Sequence, residues 1–242
     1  MQAAPTIPRP TADFGIAKFN EYHGLIAKIP NGELRIHKGA CIFFTGLISH
    51  ISNGICGDLS DLEEKIQFLT DKNTRFCIFC PFNTALKLSG IIAVPQFEAF
   101  WAPFSVKSNP VSQGHEIKTI DADNFIEWNE YCTKTNRDKG FKAHRLEFFQ
   151  QLIICQIPIT HWIYKINGTI QAALSSLILG DTLMILNTFT DNFDSYKTLT
   201  QEAINREQAK GLSHVITYLT PKEHVIPTGV SIWHYQLYLK IC

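Results

Sequence analysis

The chain has 242 residues, of which 22 are Lys or Arg and 22 are Asp or Glu, so its formal net charge is zero. Hydrophobic residues make up 45% of it, which excludes a largely disordered chain, because so apolar and neutral a sequence collapses. The balance also argues against a nucleic-acid binder, which needs a basic face to neutralise phosphates.

Neutrality holds within each half. Residues 1–112 carry 10 basic and 9 acidic residues, and the remainder carry 12 and 13. A small-molecule or protein partner is expected, with no nucleic acid and no membrane. The cysteines (41, 56, 77, 80, 132, 155 and 242) are odd in number, scattered in spacing and mostly set in apolar runs. They read as reduced, buried thiols of a cytoplasmic protein. Residues 1–15 lack the basic start and apolar core of a secretory leader. No apolar stretch approaches the ~20 residues of a membrane span.

In chain order, residues 1–16 read as a loose, proline-dotted lead-in. Three β-like runs follow at His23–Ile29, Glu33–His37 and Cys41–Ser49, with Pro30-Asn31-Gly32 as the first turn. From Asp58 the period becomes helical through Leu59, Leu62, Ile66 and Leu69, and Ser60 and Glu63 are placed as a capping box. Arg75–Cys80 reads as a strand, Asn83–Gly90 as a short helix, and Ile91–Val94 and Phe97–Val106 as extended segments. Residues 107–114 are the best linker, so the expected division is 1–112 and 113–242.

The second half opens with a strand at Glu116–Ile120. Asp121 can N-cap a helix carrying Phe125, Trp128 and Cys132. A second helix spans about Lys142–Cys155, with Leu146, Phe149 and Ile153 on one face. His161–Ile166 and Thr169–Leu179 are strands joined by the hairpin signal Asn167-Gly168. Gly180-Asp181 turns into a third strand, Thr182–Phe189. A helix over 195–210 ends at Gly211, and Leu212–Leu219 is a parallel return strand. Residues 221–229 are weak and Pro-interrupted, and Ser231–Lys240 is a closing strand.

This order resembles the GNAT fold of acyl-coenzyme A-dependent N-acyltransferases. Trp162–Ile170 is similar to the strand, turn and strand that precede the family's cofactor strand. Asn187-Thr188-Phe189 falls on the cofactor strand itself, and the helix ending Ala209-Lys210-Gly211 and the strand around Val215–Tyr218 follow in place. The first half resembles the degenerate N-terminal lobe of tandem two-lobe relatives, through Asn53-Gly54, Asp58–Thr70, Phe76–Pro81 and Asn83–Gly90. The implied class is a mixed α/β (α+β) fold of two GNAT-like lobes, each a mostly antiparallel sheet flanked by helices.

The resemblance implies acetyl-CoA (coenzyme A) as cofactor. Its pantetheine arm would lie along Leu186, Asn187, Thr188 and Phe189. Its pyrophosphate would meet the N-terminus of the next helix, at Asn192, Ser195, Tyr196 and Lys197, where backbone N–H groups and the dipole favour anions. Two departures stand out. The family loop reads Arg/Gln-x-x-Gly-x-Gly/Ala, whereas Asp191–Tyr196 has no glycine, no basic residue and two carboxylates. Coenzyme A binding is therefore expected to be weak or altered, unless Asp191 or Asp194 serves to N-cap the helix. The family's Tyr-x-x-x-Gly-Phe, whose Tyr protonates the leaving thiolate, is matched by Val225-Ile226-Pro227-Thr228-Gly229-Val230. Val225 cannot donate a proton, which leaves Tyr218 and His224 as candidate catalytic substitutes.

Other groups are read structurally. Cys77-x-x-Cys80 lacks a second ligand pair, so core thiols are expected and no metal. His144, with Arg145 and Glu147, reads as an exposed helix face, and His23, His37 and His50 read as strand residues. Phe97–Phe104 is expected to be core or inter-lobe interface. The leading function is direct acyl (chiefly acetyl) transfer from acyl-CoA to an amine of a small molecule or protein. The alternative is a catalytically impaired GNAT-fold binding or regulatory protein. An aminoacyl-tRNA-dependent transferase would need a basic surface that this chain lacks.

Overall fold

The computed structural model describes residues 10–46, 52–81, 84, 86, 88–93, 97–103, 114–120, 125–135, 151–152, 154–190, 192–208, 211–219 and 230–240. The first half supplies α1 (Ala12–Ile26), β1 (Glu33–His37), β2 (Ala40–Phe44), β3 (Gly54–Gly57), α2 (Leu62–Asp71), β4 (Phe76–Pro81), β5 (Ile91–Ala93) and β6 (Phe97–Pro103). The second supplies β7 (His115–Ile120), α3 (Phe125–Thr135), β8 (Ile159–Ile166), β9 (Thr169–Leu179), β10 (Thr182–Thr190), α4 (Phe193–Gln208), β11 (His214–Leu219) and β12 (Val230–Lys240).

The strands form one sheet in the order β1-β2-β3-β4-β12-β6-β11-β10-β9-β8-β7, with β5 also paired to β12. Two pairs are parallel, β3·β4 and β10·β11, and the others are antiparallel. The order is nearly symmetric about the central β12·β6 pair, with β7 as the extra strand at the far edge of the second half. Each half's last strand is exchanged: β6 completes the sheet beside β11, and β12 lies between β4 and β6. The aromatic strand β6 is therefore central, as its composition suggests, and Trp101 and Ala99 are buried there.

Alternating side chains along each strand serve opposite faces. Ala172 and Leu174 of β9 pack with Tyr196, Leu199 and Ala203 of α4. Ala173 and Leu177, of the other parity, join the cores under α3 and α1. Thus α2 and α4 cover one face and α1 and α3 the other. The tight turn at Asn167 (φ 50°) and Gly168 (φ 79°) has both residues left-handed, as a type I′ hairpin requires.

Two expectations need correction. Residues 12–26 form a helix, where a lead-in and a strand from His23 were expected. Its buried face is Gly15, Phe19, His23 and Ile26, a helical spacing in which a glycine and a histidine interrupt the apolar signal. The glycine is functional in packing: a Cβ on Gly15 would touch Ile232, Trp233 and Ala99 at 3.3–3.7 Å. His23 is buried between Phe19 and Phe43, and its Nδ1 lies 2.8 Å from Phe19 O.

The capping box at Ser60 and Glu63 does not form. Asp61 occupies the N-cap with φ 49° and makes no side-chain cap bond. The buried Lys65 instead donates to the carbonyls of Asp58 and Ser60. The expected closing strand forms as β12 and pairs with the first-half strands β4, β5 and β6. His50, Asn83, His144 and most of the expected helix 142–155 lie outside the described residues.

Candidate functional site

Strands β10 and β11 run side by side for only four residue pairs, Thr182↔His214 to Ile185↔Thr217. Beyond that the two part. β10 continues to Thr190 held on its other edge by β9, and β11 continues to Leu219 held by β6. A register shift between Ile185 and Thr188 inserts an extra residue into β10 at the point of divergence. The outcome is a V whose β10 arm, Leu186–Thr190, has no strand partner on its β11 side among the described residues.

Side chains line the V from the α1/α3 face. Leu186 and Tyr218 pack against the core beneath Phe19. Phe189 meets Trp128 of α3 edge-on at 6.2 Å. Trp128 in turn lies 4.5 Å from the ring of His161, whose Nδ1 is 2.8 Å from Ser175 Oγ. Burial pulls the His161 imidazole down to about 4, so it is neutral near pH 7. This pair has no spacing signature in the sequence, because His161 and Ser175 meet only through the pairing of β8 with β9.

Tyr218 stands just past the last β10·β11 pair. Its hydroxyl donates to the Gly15 carbonyl at 2.8 Å, and burial pushes its pKa well above the ordinary tyrosine value. Asn187 and Thr188 occupy the bulged stretch of β10. His224, the other expected catalytic candidate, lies outside the described residues.

The N-terminus of α4 follows the V. Asn192 caps it: Asn192 Oδ1 accepts the backbone N–H groups of Asp194 (2.9 Å) and Ser195 (3.3 Å). This corrects the assignment of the cap to Asp191 or Asp194; Asp194 lies inside the first turn and Asp191 is not among the described residues. Thr190 pegs the cap, since its Oγ1 accepts the Asn192 N–H at 2.9 Å and reaches the Gln171 carbonyl at 3.0 Å. Ser195 and Tyr196 turn inward and are buried, Tyr196 against Trp162 and Leu199, while Lys197 is exposed.

No family model and no curated protein matches the sequence. Solved structures do match the fold. A GCN5-related N-acetyltransferase from Kribbella flavida aligns over 97% of both chains at a TM-score of 0.66 and 10% identity. A functionally unknown conserved protein from Staphylococcus epidermidis aligns over 89% of this chain and 98% of its own, at 0.64 and 12%. A tandem GNAT protein from the clavulanic acid biosynthesis pathway covers 97% and 90%, at 0.56 and 9%.

The chain has the GNAT fold. Identities this low speak for the fold alone, and the chemistry of this GNAT-fold protein has to be argued from its own V. An arm that hydrogen-bonds like a strand fits the edge at Leu186–Thr190. A pyrophosphate does not fit the end of α4 as it stands, because Asn192 already takes two of the N–H groups it would use. Among the described residues, no group of three or more His, Cys, Asp or Glu converges to hold a metal ion, and no helix is long and apolar enough to cross a membrane. The Cys77-x-x-Cys80 thiols are buried core groups; burial pushes Cys80 up to about 12 and holds Cys77 well above the ordinary thiol value.

Proposed function

We propose that the protein is an N-acyltransferase that takes an acyl group, chiefly acetyl, from a coenzyme A thioester and passes it directly to an amine of a small molecule or protein. The observation that carries this reading is the end of the β10·β11 ladder at Ile185↔Thr217. It leaves the backbone of Leu186–Thr190 able to receive the donor's amide-bearing arm as an added strand.

The thioester supplies an electrophilic carbonyl. A backbone N–H of β10 polarises it, and the V holds it in place for attack by the amine. The amine lone pair forms the C–N bond, the C–S bond breaks, and the ammonium proton ends on the departing sulfur. Calorimetric titration with coenzyme A tests the reading. Saturable heat supports it, and no heat at millimolar ligand contradicts it.

A second reading, a GNAT-fold binding protein without turnover, is favoured by the Asn192 cap and by the Tyr218 proton already being committed to Gly15. Turnover of an acetyl thioester with any member of an amine panel excludes it.

A further inference from the structure

We propose that the donor site recognises the pantetheine arm alone, so that a pantetheine thioester lacking the nucleotide portion binds as well as a coenzyme A thioester. This rests on the acyl-transfer reading of the V.

The argument starts from where the N–H groups at the start of α4 point. Asp194 N–H and Ser195 N–H both go to Asn192 Oδ1, and Tyr196 N–H goes to Asn192 O at 3.2 Å. A diphosphate must displace this cap before it reaches those donors. The cap is held from behind: Thr190 Oγ1 accepts the Asn192 N–H, and the Gln171 carbonyl that Thr190 reaches also accepts the Tyr131 hydroxyl at 2.7 Å. Displacing Asn192 therefore disturbs a connected network on β9, β10 and α3.

The surroundings do not compensate. Phe193, 45% exposed, and the Asp194 carboxylate stand at the mouth of the helix, where the sequence has no glycine to let a phosphate approach the backbone. Lys197 is the cation on this turn, and it is exposed to solvent. The related helix start in the first half is closed in another way. There the Lys65 ammonium, 1% exposed as a residue, donates to the Asp58 and Ser60 carbonyls. The loop before α2 thus turns acceptors inward, the opposite of what an anion needs.

The nucleotide portion gains little at such an end, whereas the strand edge of β10 is unaffected by it. The experiment is calorimetric titration of the whole protein with coenzyme A, with pantetheine and with adenosine 3′,5′-diphosphate. Dissociation constants for coenzyme A and pantetheine within about threefold, with no heat from the nucleotide at millimolar concentration, are expected. A 30-fold or greater preference for coenzyme A, or saturable binding of the nucleotide, overturns the inference while leaving the V as a donor site. Binding of neither coenzyme A nor pantetheine removes the donor site and the inference with it.

Asn192→Gly provides an independent arm, since glycine serves as N-cap at little cost and vacates both N–H groups. Coenzyme A is expected to bind this variant about fivefold more tightly than wild type, with pantetheine unchanged. An unchanged or weaker coenzyme A affinity in the folded variant contradicts the proposal.

Discussion

The Tyr218 hydroxyl donates to the Gly15 carbonyl at 2.8 Å, tying the mouth of the V to helix α1. The bond gives the phenol a structural task. Tyr218→Phe is expected to lower unfolding free energy by about 1 kcal/mol and to leave turnover within about fivefold of wild type. Thermal unfolding and steady-state rates check this. A hundredfold loss with disappearance of the basic limb of the pH profile would instead make Tyr218 a general acid.

His161 links stability to pH. In the unfolded chain the imidazole takes up a proton near pH 6.5, whereas burial holds the folded one neutral down to about pH 4. The unfolded state therefore binds more protons between these values, and stability falls as pH drops from 6.5 towards 4. The loss reaches about 3 kcal/mol at most. Urea midpoints across this range should show a shallower slope for His161→Gln than for wild type. Equal slopes would mean that His161 is not held neutral.

Asn53 is the hub of the first half. Its Oδ1 accepts from Thr45 N–H at 2.8 Å and lies 3.3 Å from Thr45 Oγ1. Its Nδ2 donates to Thr74 Oγ1 at 3.2 Å and to the Arg75 carbonyl at 3.1 Å. Asn53→Ala leaves buried groups unsatisfied and should cost about 3 kcal/mol in chemical denaturation. The neighbouring Gly54→Ala should also destabilise, because its Cβ would lie 2.5 Å from the Cys77 carbonyl and force β3 and β4 apart.

The second half was the more legible in the sequence, and the reason is local. Asn167-Gly168, Gly180 and Gly211 all adopt positive φ, so the residues that marked the turns are the ones the turns require. The sequence pattern starts the α4 helix near Ser195, whereas the helix begins at Phe193 with Asn192 as the cap. Helix α1 has a poor local signal because its buried stripe includes Gly15 and His23, and packing against β12 outweighs it. The exchange of β6 and β12 has no local signature at all. Both are aromatic strands that suit either half, and partner choice is settled by tertiary pairing. β10 parts from β11 where the bulge between Ile185 and Thr188 shifts its register, a feature that no local sequence signal marks.

The central claim is that the edge of β10 beyond Ile185 receives the donor. Amide hydrogen exchange with and without saturating coenzyme A tests it at the residues concerned. The account predicts slowed exchange confined mainly to Leu186–Thr190. Unchanged exchange across that segment, with slowing elsewhere, would contradict it.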